Sequence, residues 1–125
     1  MLANYPGNPV VNFRINSDKE NFVTSLLSML HSTEDYIVMY ISSKYDLVKI
    51  LAKEKVYKGN HWGFGHFINI RLKQEMTDLV QVNMEISKAV DFIEDEQEYE
   101  NAQDEMLAFL KNVKQAANAS IEEVA

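Results

Sequence analysis

The spacing of apolar and polar residues changes several times along the chain, and each change marks an element. In VVNFRI, residues 10–15, Val11, Phe13 and Ile15 alternate with Asn12 and Arg14. A period of two predicts a short strand with one buried face. Pro6, Gly7 and Pro9 make a non-helical lead-in to it. Ser17 and Glu20 then form a capping-box pattern, and Phe22, Leu26, Leu27 and Leu30 repeat at helical spacing. A helix is predicted over 18–31. DYIVMYIS is short, apolar and rich in β-branched residues, which predicts a buried strand over 36–42. Ser43 and Asp46 repeat the cap. Leu47, Ile50 and Leu51, with Lys44, Lys49, Lys53 and Lys55 outward, predict a second helix over 44–57. Strand, helix and strand in that order predict a right-handed crossover that sets the first two strands parallel.

Beyond residue 67 the period returns to two. FINIRLKQEM places Ile68, Ile70 and Leu72 on one side, and LVQVNMEIS does the same with Val80, Val82, Met84 and Ile86. Together they predict a hairpin. Keeping every apolar residue on one face sets Leu72 opposite Val82, Ile70 opposite Met84 and Ile68 opposite Ile86. That register leaves Met76, Thr77 and Asp78 as an odd-numbered connection, because a two-residue turn at Thr77–Asp78 would flip the faces. The outward face is then polar: Asn69, Arg71, Lys73, Gln81, Asn83 and Glu85. A rival pattern runs through the same stretch. Leu72, Met76, Leu79, Asn83, Ile86, Val90 and Ile93 follow a heptad, which would make 70–95 a helix and the protein mostly α. From Lys88 to Ala117 the pattern is helical, with a stripe of Phe92, Tyr99, Ala102, Met106, Leu110 and Val113. The expected fold is therefore α+β: one domain over 1–117 in the order β-α-β-α-β-β-α. It has one small mixed sheet covered by helices, a long acidic C-terminal helix, and a frayed tail at 118–125.

Composition narrows the function. A chain of 125 residues, 46% of them apolar, suffices for one modest core. No run of 18 apolar residues is present, so no membrane span is expected. The N-terminus MLANYPGNPV lacks the features of a signal peptide, and a cytoplasmic protein is expected. With no cysteine, the chain has no disulfide, no thiol catalysis and no cysteine-ligated metal. The net charge of −7 is unevenly placed: residues 1–90 sum to +1 and residues 91–125 to −8. The acidic quarter would repel both nucleic acid and anionic membranes, so direct nucleic-acid binding is disfavoured.

The stretch GNHWGFGHF, residues 59–67, holds three of the four glycines, the only tryptophan and two of the three histidines. It lacks the glycine spacing of a dinucleotide loop and the G-K-[ST] ending of a phosphate cradle. His61 and His66 are five apart, which suits neither a helical nor a strand pair of metal ligands, and no third ligand accompanies them. No metal and no cofactor are expected. GFGHFINI is similar to the RNA-recognition signature G-F-G-F-V-x-F except for the inserted His66. That insertion sets Phe64 and Phe67 on opposite faces unless a bulge intervenes, and a helix is expected before the run. No nucleophile elbow and no H-E-x-x-H occurs, so catalysis finds no support.

The segment DFIEDEQEYENAQDE, residues 91–105, carries eight acids and no base. Its bland reading is a solvated helix face that keeps the protein in solution. Its sharper reading is a docking surface in which Phe92 and Tyr99 anchor while Glu94, Glu98 and Asp104 supply charge, with Trp62 as a further anchor. The functional expectation is a small acidic, non-catalytic interaction or regulatory protein. It would dock a basic surface of a protein partner, for example as an inhibitor of a nucleic-acid-binding site, and a homodimer is compatible with it. The alternative is a small-ligand binder or minor enzyme using His61, Trp62, Phe64 and His66.

Overall fold

The computed structural model describes residues 8–55, 62–88, 93, 96–117 and 121–123. β1 (Val10–Ile15) leads into α1 (Lys19–His31), and four strands follow with no helix between them among the described residues: β2 (Tyr36–Ile41), β3 (Leu47–Lys55), β4 (Trp62–Met76) and β5 (Leu79–Lys88). α2 (Glu96–Ala117) and β6 (Ile121–Glu123) complete the chain. The sheet has six strands in the order β2-β3-β4-β5-β1-β6, and every described pairing is antiparallel. The class is α+β, in one small domain, and among the described residues no helix is long and apolar enough to cross a membrane.

Three expectations are corrected. Of the helix expected over 44–57, residues 44–55 form a turn and a strand instead, and residues 56–57 lie outside the described residues. Ser42 Oγ accepts the N–H groups of Asp46 and Leu47, Tyr45 N–H donates to Ser42 O, and Tyr45 takes a positive φ of 59°. This turn sends the chain straight back as β3. Val48, Ile50 and Ala52 are buried on the helix side of that strand, while Leu51 is buried on the other. Apolar residues on both faces gave Leu47, Ile50 and Leu51 a helix-like spacing. The sheet is antiparallel, not mixed, because β1 does not join β2: it pairs with β5, Phe13 opposite Val82. The element order is accordingly β-α-β-β-β-β-α-β. Within the tail expected over 118–125, Ile121–Glu123 form β6, with Ile121 opposite Ile15, and the other tail residues lie outside the described residues.

The hairpin register holds: Leu72 faces Val82, Ile70 faces Met84 and Ile68 faces Ile86. Its connection differs. Met76 pairs with Leu79, so Thr77–Asp78 is a two-residue turn, and the register shift falls between Gln74 and Met76. Glu75 is the extra residue, and this bulge restores the faces that a two-residue turn alone would invert. Residues 70–88 are thus a strand hairpin rather than a heptad helix, and Lys88 ends β5 instead of opening a helix.

Both helices cover one face of the sheet. Asp18 caps α1 by accepting from Asn21 N–H at 2.7 Å, the role assigned by pattern to Ser17. α1 then buries Phe22, Val23, Leu26 and Leu30. α2 buries Ala102, Met106, Phe109, Leu110 and Val113. Between helices and sheet lie Phe13, Ile15, Ile50, Ile68, Ile70, Val82, Met84 and Ile86, each at 0–1% exposure. No polar or charged residue is buried among the described residues. The buried side chains between the layers are thus all apolar among the described residues.

Candidate functional site

One transverse row of the sheet differs from the others. Tyr36, Ala52, His66 and Lys88 stand side by side on β2, β3, β4 and β5, beyond the apolar row of Val38, Ile50, Ile68 and Ile86. α2 crosses over it. Glu105 Oε2 lies 2.5 Å from His66 Nδ1, and Glu98 Oε1 lies 3.1 Å from Lys88 Nζ. The Tyr36 ring meets Phe109 edge-on at a centroid distance of 5.1 Å. Glu98, Glu105 and Phe109 fall on one side of the helix because they repeat at intervals of seven and four. Burial holds the Tyr36 phenol above its ordinary pKa, with the negative charges of Glu105 and Asp35 adding to the effect. The charged side chains at this row, His66 with Glu105 and Lys88 with Glu98, remain part-exposed at the end of the core, where charge stays hydrated.

The row fixes which side of α2 faces outward. Glu96, Glu100 and Asp104 repeat at i, i+4 and i+8, are all exposed, and form one stripe. Leu107 continues that side of the helix, and 47% of its surface is exposed. Like charges four apart disfavour a helix by about 0.2–0.5 kcal/mol per pair. The helix N-terminus offsets this at Glu96 in the first turn but not at Asp104, two turns further on.

The sequence-derived residues divide between these surfaces. Asp104 lies on the stripe. Glu98 does not: it turns toward the sheet and pairs with Lys88. Tyr99 is half-buried. His66, grouped by sequence with the glycine stretch, sits under α2 with Glu105. Trp62 and Phe64 occupy β4 positions opposite Lys55 and Lys53. Gly65 has no opposite residue on β3, so a bulge does intervene between Phe64 and Phe67, and a strand rather than a helix precedes the run. The likeness to the RNA-recognition signature still departs in topology, since that fold runs β-α-β-β-α-β. Phe92, Glu94 and His61 lie outside the described residues. Glu96, Glu100, Leu107 and the partners Tyr36, Lys88 and Glu105 were missed. The i, i+4, i+8 spacing of the exposed acids was the available signal.

No family model matches the chain, and no curated protein matches it. Solved structures do. Protein MLL2253 from Mesorhizobium loti superimposes with a TM-score of 0.60 at 12% identity, over 89% of this chain and 96% of that one. A conserved protein from Geobacillus kaustophilus aligns with a TM-score of 0.45 at 14% identity, over 91% of this chain and 99% of that one. At such identity the first likeness establishes the fold alone.

Proposed function

We propose that the protein is a non-catalytic binding module that docks a basic surface of a protein partner through the outer side of α2. The observation that carries this reading is the exposed stripe of Glu96, Glu100 and Asp104 ending at the exposed Leu107. Carboxylates at one-turn intervals steer a cationic partner, and an apolar side chain beside them supplies the contact that desolvates on binding. Regulation or inhibition of such a partner, by occupying its basic surface, is the form of function this arrangement suits. The stripe revises the sequence-derived anchors: Asp104 is kept, Glu96, Glu100 and Leu107 enter, and Glu98 becomes a strut that orients the helix.

The reading based on His61, Trp62, Phe64 and His66 has less support. His66 Nδ1 is engaged by Glu105.

The test is capture of partners from a host lysate on immobilised protein, followed by association kinetics at two salt concentrations with the partner recovered. Glu96→Gln, Glu100→Gln and Asp104→Asn together should slow association and flatten its salt dependence, and Leu107→Ala should speed dissociation. Rates unchanged in both variants would remove α2 as the docking surface.

A further inference from the structure

We propose that the protein pairs with a second copy of itself along β2, forming a symmetric dimer with a continuous sheet. This goes beyond the α2 reading and is independent of it. β2 is the outermost strand on its side of the sheet. The backbone N–H and C=O groups on its outer side form a ladder that another strand fits. Edge strands are commonly protected by lysine, proline or inward charge, yet β2 reads YIVMYI, with none of these. Ile37, Met39 and Tyr40 are 41%, 50% and 53% exposed on it.

β2 has one protective feature, a bulge, and it selects a register. Val38 pairs with Ile50 and Tyr40 with Lys49, so Met39 is the extra residue. Ile37 and Tyr40 therefore share the open face of the sheet, while Tyr36, Val38 and Ile41 pack toward the core. Suppose an antiparallel second copy is placed so that the two-fold axis passes between Val38 and Met39. Ile37 then lies opposite the second copy's Tyr40, and Tyr36 opposite its Ile41. Faces match on both sides of the axis. A slip of one residue sets Ile37 against the second copy's Ile41 and mismatches them.

The same pairing brings two further features near each other. Antiparallel pairing of β2 (Tyr36–Ile41) brings the second copy's β2–β3 turn, with Lys44 and Tyr45, toward the segment between α1 and β2, with Ser32 and Thr33. Ser32 and Thr33 line a cleft of about 470 Å³ with Met29, Asp35, Tyr36 and Asn112, where the end of α1 meets β2 and α2. Tyr45 is 37% exposed on the β2–β3 turn, held there by a left-handed backbone that a bulky residue seldom adopts. The turn of each copy thus points toward the end of the other copy that carries this cleft. Charge agrees. The exposed Glu34 precedes β2 and the exposed Lys44 follows it, so antiparallel pairing brings acid to base at both ends. An unrelated strand would satisfy the backbone ladder alone. A second copy satisfies the ladder and the charges together and brings its turn toward the cleft, and a two-fold contact makes each twice. Six residues of strand pairing make a small interface, and contact by the turns enlarges it.

Sedimentation velocity from low to high micromolar concentration tests this. Wild type should form a dimer whose population rises with concentration. Tyr40→Lys should abolish it, and Met76→Lys, at an apolar position 68% exposed on the far hairpin, should not. Lys44→Glu should weaken the dimer at least tenfold, and Glu34→Lys with Lys44→Glu should bind more tightly than Lys44→Glu alone. If Tyr40→Lys fails to fold by circular dichroism, the turn variants carry the test. A wild type that stays monomeric throughout, a dimer indifferent to a folded Tyr40→Lys, or a double variant no tighter than Lys44→Glu would overturn the proposal.

Discussion

His66 on β4 and Glu105 on α2 approach to 2.5 Å between Nδ1 and Oε2, joining the sheet to the middle of the helix. Their side chains are 20% and 30% exposed, so water and salt screen the pair. A double-mutant cycle on His66→Ala and Glu105→Ala should give a coupling of about 0.5–1 kcal/mol, smaller in high salt. Additive effects in denaturant unfolding would show that the contact does not orient α2.

Ile70 and Asn69 are adjacent on β4 but face opposite sides. Ile70 is fully buried opposite Met84, and Asn69 lies on the open face opposite Glu85. Ile70→Ala should cost about 2–5 kcal/mol and Asn69→Ala well under 1 kcal/mol. Urea unfolding of the two variants is the check. Equal losses would contradict the register of the hairpin.

The phenol of Tyr36 is held protonated by its surroundings, so the folded state releases this proton at a higher pH than the unfolded chain does. The resulting stabilisation is present in full below the ordinary tyrosine pKa near 10. It is lost as pH rises through the folded value, because the unfolded state gains by ionising first. Wild type should therefore lose Tm above about pH 10 more steeply than Tyr36→Phe does. Parallel curves for the two proteins would show that Tyr36 is not the linked group.

Glu100 belongs to both like-charge pairs of the α2 stripe, with Glu96 and with Asp104. Glu100→Gln removes both repulsions and should stabilise the fold by about 0.4–1 kcal/mol. If the stripe docks a basic partner as proposed, the same change should slow that association. Gain in one property with loss in the other marks a surface kept for binding at the expense of the helix. A thermal melt of the variant at low salt decides the first half.

The hairpin of β4 and β5 was legible because its strands each have one apolar and one polar face, and Ile68, Ile70 and Leu72 match Ile86, Met84 and Val82 in a single register. β3 was not. Leu51 stands between Ile37 and Phe67 on the open face and is buried there, so the period of two disappears. The place of β1 could not be read locally either, since nothing within VVNFRI names β5 as its neighbour. Once Lys88 is the end of a strand, its pairing with Glu98 follows from the short path between β5 and α2. The outward side of α2 stayed hidden for a related reason. Phe109, absent from the apolar stripe read by pattern, is fully buried and turns the helix so that Glu96, Glu100 and Asp104 face out.

The pairing of β1 with β5 separates the assembly of the sheet into two kinds of event. From β2 to β5 each strand meets the next one in sequence, and these contacts close short loops. β1 must instead find a strand some seventy residues away, Val10 beside Glu85, with the whole meander between them. Closing so long a loop is entropically unfavourable until Phe13 and Ile15 reach the core. The meander should therefore form early and β1 dock late. Phe13→Leu should then accelerate unfolding and barely slow refolding, a division that stopped-flow kinetics resolves. Until β1 docks, β5 has an open side. The interval before β1 arrives is when the chain is most exposed to pairing with the wrong strand.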